Sequence, residues 1–386
     1  MNCIRCGTDN KLKDRSANNG RCKNCQHPFA FDPKYSLGGK FTDKFFKDTL
    51  ATLSVNGSLY FTPRQFFYFF NQRLNAKQLE APLKLTGCGT IVVSIVLTVL
   101  FKAIAFSLLW LIPLLLIVGF GIALMTSAKL RRRLRGNKPL TTTVTPHQVE
   151  DWYKHWCEIN GDSGRLLPPP PPPPPVAAKS KPQAIEINPE VKNYSFDRVI
   201  VCDRAEIAQC LIANNFHFEH NCAVLSVDGY PHDIFKTVLE MLKRNPALSV
   251  YALHDASVQG VKLLHTLRTN SRWFAKSEAK IYDLGLLPRQ IFNRSVFVES
   301  VPYRFEPAAT AIPAEVAATL EPEEVRWLKA GNYVSLESFT PQTLLRVVSQ
   351  GIAKSRDPQS NDALVPIFVG DGGGGGTYFY TSDSFG

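Results

Sequence analysis

The sequence predicts a multidomain protein with three main parts: a small cysteine-rich ribbon, a hairpin of two transmembrane helices, and a C-terminal α/β domain built on a parallel sheet. Three observations predict this fold class. Two closely spaced cysteine pairs open the chain, a long and nearly uncharged apolar stretch spans 90–125, and short apolar runs alternate with helical patterns from residue 196 onwards. The chain of 386 residues is long enough for several domains with separate cores.

The first part, residues 1–35, carries two Cys-x-x-Cys pairs, Cys3 with Cys6 and Cys22 with Cys25. Pairs with this spacing turn tightly enough to present four thiolates to one Zn²⁺ ion in a tetrahedron. A segment this short has almost no hydrophobic core, so we expect the metal to supply most of its folding free energy, on the order of 10 kcal/mol. The sequence therefore predicts a structural zinc ribbon.

Residues 41–85 are predicted to be helical, and the apolar stretch after them is predicted to form a transmembrane hairpin over 90–127. One span needs about 20 apolar residues, so the stretch is too long for a single span and just long enough for two. Basic residues flank it on both sides, which places both flanks in the cytoplasm by the positive-inside tendency. The alternative is a single span near 103–125, with 88–101 lying in the membrane interface.

Positive charge is concentrated at the two ends of this apolar stretch. The formal net charge is +11, and its excess of Lys and Arg lies in 1–85 and 129–160, whereas 161–386 is slightly acidic. Such charge is typical of membrane topology and of contact with anionic lipid, and nucleic-acid binding is the alternative. The sequence thus predicts an integral protein of the inner or plasma membrane, with both termini cytoplasmic and the lipid bilayer as a partner.

Residues 129–195 are predicted to be a basic and proline-rich linker. Eight consecutive prolines at 168–175 predict a polyproline II rod of about 25 Å. Before them, 147–158 forms an amphipathic helical pattern with aromatic residues, which indicates either a helix on the membrane surface or ordinary packing. Residues 313–356 are predicted to be a helical extension, and the glycine-rich tail at 357–386 is predicted to be flexible.

Residues 196–312 show the alternation that is typical of a parallel sheet covered by helices on both faces. The predicted strands are 199–202, 223–227, 248–253 and 281–284. Ligands of such sheets bind beyond the carboxyl ends of the strands. Asp203, Asp228 and Asp255 each stand just past a strand end, so we expect three carboxylates at one edge of the sheet.

Three segments of this domain, VIVCDRAEIAQCLI, VLSVDGYP and VYALHDASVQGVKLL, resemble the Toprim domain, and within it the A subunit of type IIB DNA topoisomerases and the related meiotic double-strand-break transesterases. Members of the family have an acidic residue at the end of the first strand, a GYP turn after the second, and a DxD motif followed by a glycine after the third. Asp203 stands where the family has glutamate. Asp255 matches the first aspartate of DxD, and Ser257 replaces the second.

The resemblance implies a Mg²⁺ site, because the family's acidic residues hold this ion and Mg²⁺ supports phosphoryl transfer through hard oxygen ligands. Here Asp203 and Asp255 would be ligands, and Asp228, at a position that the family does not use, would be a third. One carboxylate of the family pattern is lost and another is shortened. These departures favour a degenerate metal site.

The segment from Thr62 to Tyr68, TPRQFFY, resembles the T-x-R-x-x-Y-Y motif that carries the nucleophilic tyrosine of those transesterases. The resemblance implies that Tyr68 is the nucleophile and that Arg64 stabilises the departing charge. Phenylalanines surround Tyr68 in the sequence, however, and this pattern also indicates a side chain in a helix core.

These observations predict a membrane-anchored, Toprim-like and non-catalytic module with a structural zinc ribbon, which binds a partner protein or nucleic acid at the inner membrane face. The alternative is a Mg²⁺-dependent nuclease or topoisomerase-like DNA transesterase that uses Asp203, Asp255 and Tyr68.

Overall fold

The computed structural model describes residues 1–33, 41–76, 140–172, 196–292, 294–300 and 311–355. The helices in these ranges are α1 (Leu12–Ala17), α2 (Asp43–Leu53), α3 (63–76), α4 (Pro146–Asn160), α5 (Ala205–Ala213), α6 (Phe216–Glu219), α7 (Phe235–Lys243), α8 (Val258–Val261), α9 (Leu263–Thr269), α10 (Ala314–Ala317), α11 (Pro322–Lys329) and α12 (Pro341–Lys354). The strands are β1 (Arg198–Cys202), β2 (Cys222–Ser226), β3 (Ser249–Leu253), β4 (Lys280–Asp283), β5 (Glu299–Ser300) and β6 (Asn332–Tyr333).

Strands β1 to β4 form one parallel sheet in the order β2-β1-β3-β4, which confirms the predicted parallel arrangement. Alternate residues of a strand point to opposite faces. Ile200 of β1 therefore packs in one apolar cluster, with side chains of α5 and α12, whereas Val199 and Val201 pack in another, with side chains of α7 and α9. Because all four strands run in the same direction, their carboxyl ends meet at a single edge of the sheet.

The C-terminal helices belong to the core of this α/β domain. Leu344 and Val348 of α12 are fully buried in the same cluster as Ile200 and Leu253. An isolated bridge joins Ala256, just after β3, to Val334, just after β6. The segment after residue 311 is thereby brought to the carboxyl edge of the sheet.

A second core is aromatic and joins α2, α3 and α4. Phe46, Phe66 and Phe70 are buried against Tyr153 and Trp156 of α4, with ring centroids of neighbouring pairs 5.1 to 5.7 Å apart. The amphipathic pattern at 147–158 therefore reflects ordinary packing, which was the second of its two predicted interpretations.

Three of the helices begin with the same Thr-Pro signal, at Thr62, Thr145 and Thr340. In each case the threonine hydroxyl accepts a hydrogen bond from the backbone N–H three residues later, at 3.1, 3.3 and 3.3 Å respectively. Proline at the first helical position has no N–H that would need a partner there. These caps begin α3, α4 and α12, which build the two cores.

The predicted two-helix transmembrane hairpin requires correction. Within the described ranges, no helix is both long enough and apolar enough to cross a membrane. The longest helix that those ranges contain, α4, has 15 residues, whereas a span needs about 20. The predicted span at 90–127 lies outside the described residues. The fold class is corrected on this point, and so is the localisation as an integral protein of the inner or plasma membrane with both termini cytoplasmic, because the hairpin was its basis.

Candidate functional site

The four cysteines of the ribbon lie together, with their sulfur atoms all within 4.8 Å of one another. The Sγ atoms of Cys3 and Cys25 are 3.6 Å apart, as are those of Cys6 and Cys22. Four thiolates around zinc, with bonds of about 2.3 Å, would place neighbouring sulfurs at nearly this separation. The cluster can therefore hold a metal such as zinc, and it is the one group of three or more potential ligands found in the described part of the chain.

Both halves of the ribbon use the same turn. The N–H of Gly7 donates to the carbonyl of Cys3 at 2.9 Å, and the N–H of Gln26 donates to the carbonyl of Cys22 at 3.0 Å. The side chain of Asn10 is buried between the two turns, where it donates to Cys22 Sγ at 3.5 Å and accepts from the Lys23 N–H at 2.9 Å. The cysteine sites are thus preformed by hydrogen bonds around them.

Asp203 and Asp255 meet at the carboxyl edge of β1 and β3. The backbone N–H of Asp255 donates to Asp203 Oδ2 at 2.8 Å, whereas Asp203 Oδ1 is buried without a hydrogen-bond partner. Burial, reinforced by the neighbouring Asp255 carboxylate, raises the pKa of Asp203 to about 8. Burial also raises the pKa of Asp255. The structure therefore brings together two of the three predicted carboxylates.

Arg204 places a positive charge among the carboxylates at this edge. Its Nη1 lies 3.7 Å from Asp255 Oδ2, its Nη2 lies 3.3 Å from Glu337 Oε2, and its Nε lies 3.4 Å from Glu206 Oε2. Burial opposes the charge of Arg204, but Glu337 and Asp255 together raise its pKa. The guanidinium group thus neutralises the edge in the way that a bound cation would.

Ser257, which replaces the second aspartate of the family motif, has a structural role here. Its hydroxyl accepts a hydrogen bond from the Gly260 N–H at 2.9 Å and so caps α8. The other oxygen of Asp255, Oδ1, accepts from the Leu336 N–H at 2.6 Å. Both residues of the former DxD pair are therefore engaged in contacts within the chain.

Asp228 lies apart from the other two aspartates. It is exposed on the turn after β2, and no ligand group in the described ranges contains it. Mg²⁺ prefers near-octahedral coordination by oxygen. The edge offers the free Oδ1 of Asp203, while Asp255 is held by Leu336 and Arg204, so this arrangement of residues does not fit a Mg²⁺ ion.

His254 and Asp283 form a buried pair beside the aspartates. His254 Nε2 lies 3.1 Å from Asp283 Oδ1, and Nδ1 lies 2.8 Å from the carbonyl oxygen of Asp255. Burial works against the charged imidazole, but the Asp283 carboxylate outweighs it and raises the pKa of His254 to about 9. The sequence analysis did not identify this pair, although Asp283 ends the fourth strand and the strand-end argument applies to it equally.

Tyr68 lies in α3 with its hydroxyl directed at a carboxylate. It is 1% exposed, and its hydroxyl donates to Glu299 Oε1, while the hydroxyl of Tyr333 donates to Glu299 Oε2. Arg64 Nη2 lies 3.3 Å from Glu299 Oε2, and Arg64 Nη1 lies 4.0 Å from Glu337 Oε2. The two residues of the TPRQFFY segment are thus connected through Glu337 to the edge of the sheet.

Several residues of the site could not be identified from the sequence. Glu337, Glu299 and Tyr333 belong to no motif and reach the site only through the fold, since they lie more than 230 residues after their partners in α3 or just before it. Arg204 directly follows Asp203, and this position at a strand end was the one available signal.

Comparison with known proteins identifies the α/β domain. Residues 198–294, about a quarter of the chain, match the family model of the Toprim domain that the A subunit of topoisomerase 6 shares with Spo11. No curated protein and no solved structure shows a significant match. The matched range contains β1 to β4 with Asp203 and Asp255, and it excludes the cysteine ribbon and Tyr68. Residues 198–294 are therefore a Toprim domain that resembles the one in the A subunit of type IIB DNA topoisomerases and in Spo11.

Proposed function

We propose that this chain binds nucleic acid through its Toprim domain and does not cleave it. The matched family supports nucleic acid as the ligand class, because the family is named for the A subunit of topoisomerase 6 and for Spo11. The formal net charge of +11 favours binding to a polyanion. Binding without cleavage is argued from the carboxyl edge of the sheet.

The observation that carries this proposal is the position of Arg204. Its guanidinium group lies within 3.7 Å of Asp255 and 3.3 Å of Glu337, where the family would hold a divalent cation. A metal placed there would be repelled by the guanidinium charge, and displacing Arg204 would leave buried carboxylates to compete for it. Ser257 also contributes no carboxylate, because it caps α8.

Cleavage through Tyr68 is disfavoured by its surroundings. A tyrosine nucleophile must lose its proton and reach a phosphorus atom. Burial, together with the Glu299 carboxylate that its hydroxyl contacts, raises the pKa of Tyr68, so the phenolate is disfavoured. The hydroxyl is also enclosed, because only 1% of the residue is exposed.

The test combines a binding assay with a cleavage assay on the full-length, zinc-loaded protein. We expect gel-shift binding of a DNA duplex, with an affinity that falls as salt concentration rises, and supercoiled plasmid that stays intact in Mg²⁺ or Mn²⁺. Time-dependent nicking that disappears in Asp255→Asn would overturn the absence of cleavage. Failure to retain DNA at low salt would overturn the binding.

Metal-dependent phosphodiester cleavage is the second candidate function. It is favoured by two buried carboxylate oxygens without hydrogen-bond partners, Asp203 Oδ1 and Glu337 Oε2. Buried unsatisfied acceptors are costly unless a cation or a proton compensates them. The raised pKa of Asp203, about 8, indicates that a proton serves at that residue. Calorimetric titration with Mg²⁺ separates the two candidates, since only the second requires saturable binding.

A further inference from the structure

Glu299 is held by three donors that come from separate parts of the chain. Tyr68 in α3 donates to one carboxylate oxygen, and Tyr333 in β6 donates to the other. The guanidinium group of Arg64 adds a charged contact at 3.3 Å. Two hydroxyl groups and one cation around a single carboxylate form a site that recognises an anion.

The donors are fixed in place by packing that does not involve Glu299. The ring of Tyr68 packs on Phe297 with centroids 5.4 Å apart, and the guanidinium carbon of Arg64 lies 6.0 Å from the centroid of the Tyr68 ring. Burial raises the pKa of Tyr68 and of Tyr333. Both hydroxyls therefore remain protonated and able to donate.

One side of this cluster is open to solvent. The side chain of Arg64 is 37% exposed and that of Glu299 is 26% exposed, whereas Tyr68 forms the enclosed inner wall. An external anion can approach from the side of Arg64. Glu337, the other carboxylate near Arg64, is buried at 4.0 Å and is also paired with Arg204, so it does not occupy the open side.

We propose that Arg64, Tyr68 and Tyr333 form a phosphate-binding site that the chain's own Glu299 carboxylate occupies and thereby blocks. A phosphodiester presents two non-bridging oxygens and one negative charge, and a carboxylate presents the same number of each. Each tyrosine hydroxyl would then donate to one phosphate oxygen, and Arg64 would balance the charge. The choice of a nucleic-acid phosphodiester as the ligand rests on the proposed function, whereas the existence of an anion site does not.

Occupation by Glu299 lowers the apparent affinity for any external anion, because only the fraction of molecules with Glu299 displaced can bind. Removing the carboxylate should therefore strengthen binding, which is the opposite of what loss of a structural salt bridge would cause. This difference in sign makes the proposal testable. Glu240, an exposed residue of α7, provides a matched control for the loss of one negative charge.

The experiment titrates inorganic phosphate, and separately a short single-stranded DNA, into the full-length protein and its Glu299→Ala and Glu240→Ala variants by calorimetry. We expect Glu299→Ala to bind both probes at least about tenfold more tightly than wild type, and Glu240→Ala to match wild type. Adding Arg64→Gln to Glu299→Ala should abolish the gain. If Glu299→Ala is poorly folded, Glu299→Gln removes the charge with the same shape, and the same direction of change is expected.

The outcomes separate the anion site from the proposed function. An unchanged or weaker affinity for phosphate in a folded Glu299→Ala or Glu299→Gln protein overturns the site. A gain for phosphate with no DNA binding by any variant supports the site and overturns the proposed function. A gain that equals that of Glu240→Ala would show a general charge effect and would also overturn the site.

Discussion

The ionisation state of His254 is decided by the groups that face its two ring nitrogens. Nδ1 faces the carbonyl oxygen of Asp255 at 2.8 Å, and Nε2 faces the carboxylate of Asp283 at 3.1 Å. A neutral imidazole has one N–H and can satisfy only one acceptor, whereas the imidazolium ion satisfies both. The geometry therefore agrees with the pKa of about 9, and a buried ion pair stabilises the end of β4.

The first prediction concerns the pH dependence of this pair. The folded-state pKa of His254, about 9, lies above its ordinary value of 6.5. Its contribution to stability is therefore complete below about pH 6.5 and is lost as the pH rises through 9. We expect His254→Gln to lower the free energy of unfolding by about 3 kcal/mol at pH 6.5, as for other broken buried pairs. The difference between variant and wild type should shrink towards pH 10.

Denaturant unfolding at the two pH values measures this effect. His265→Gln, which removes a partly exposed histidine with an exposed partner, is the matched control and should change little at either pH. A His254→Gln effect that is equal at pH 6.5 and pH 10 would contradict a charged His254.

Gly260 shows why the glycine after the acidic motif has no side chain. A Cβ atom at this position would lie 2.1 Å from the carbonyl oxygen of Asp255, which belongs to the backbone and cannot rotate away. The second prediction is that Gly260→Ala lowers the free energy of unfolding by about 2 kcal/mol, because the start of α8 must shift. Gly57→Ser, at a position where nothing lies within 4 Å of the added atom but φ is +82°, should show only the smaller backbone strain. Thermal unfolding of both variants measures the difference, and equal effects would contradict the close approach.

At the scale of elements, the strands were predictable and their long-range partners were not. The apolar run before Asp203 and the one before Asp255 gave strands close to the observed β1 and β3, because a strand buried on both faces is recognisable from its own residues. The pairing of Arg204 with Glu337, in contrast, joins residues from the first strand's end and a turn far along the chain. No local pattern predicts such a contact. The same limit explains the exposed Asp228, since proximity to a strand end does not determine where a turn directs its side chain.

The start of α8 supplies the third prediction. Ser257 caps this helix through its hydroxyl, and aspartate is an equally good cap. We expect Ser257→Ala to lower the free energy of unfolding by about 1 kcal/mol and Ser257→Asp to leave it nearly unchanged. Chemical denaturation of the three proteins measures these values. Equal stability of wild type and Ser257→Ala would contradict the capping role.

At the scale of the whole molecule, the ribbon is connected to the aromatic core and not to the sheet. Phe31, which follows the second cysteine pair, is buried against Phe41 and Phe46, and His27 Nε2 lies 3.0 Å from Asn160 Oδ1 of α4. The domain prediction placed the ribbon, the helical segment and the linker in separate units, because composition shows where the chain changes character but not which segments pack together. The structure places parts of all three in one core.

The fourth prediction follows from this arrangement. A zinc chelator should release one zinc ion per chain and unfold the ribbon, because a segment of this size depends on its metal for stability. The ribbon packs on the aromatic core through Phe31, so we expect the Toprim sheet to keep its structure. Limited proteolysis should then cut within 1–33 after chelation and spare 198–294. Cys22→Ser should reproduce this pattern without a chelator, and early cleavage within 198–294 would contradict the separation.

The central claim is that Arg204, and not a metal ion, neutralises the carboxyl edge of the Toprim sheet. Calorimetric titration of the zinc-loaded, full-length protein with Mg²⁺ tests it most directly. The account predicts no saturable binding up to millimolar Mg²⁺ in wild type. Saturable binding that is abolished by Asp203→Asn would contradict it.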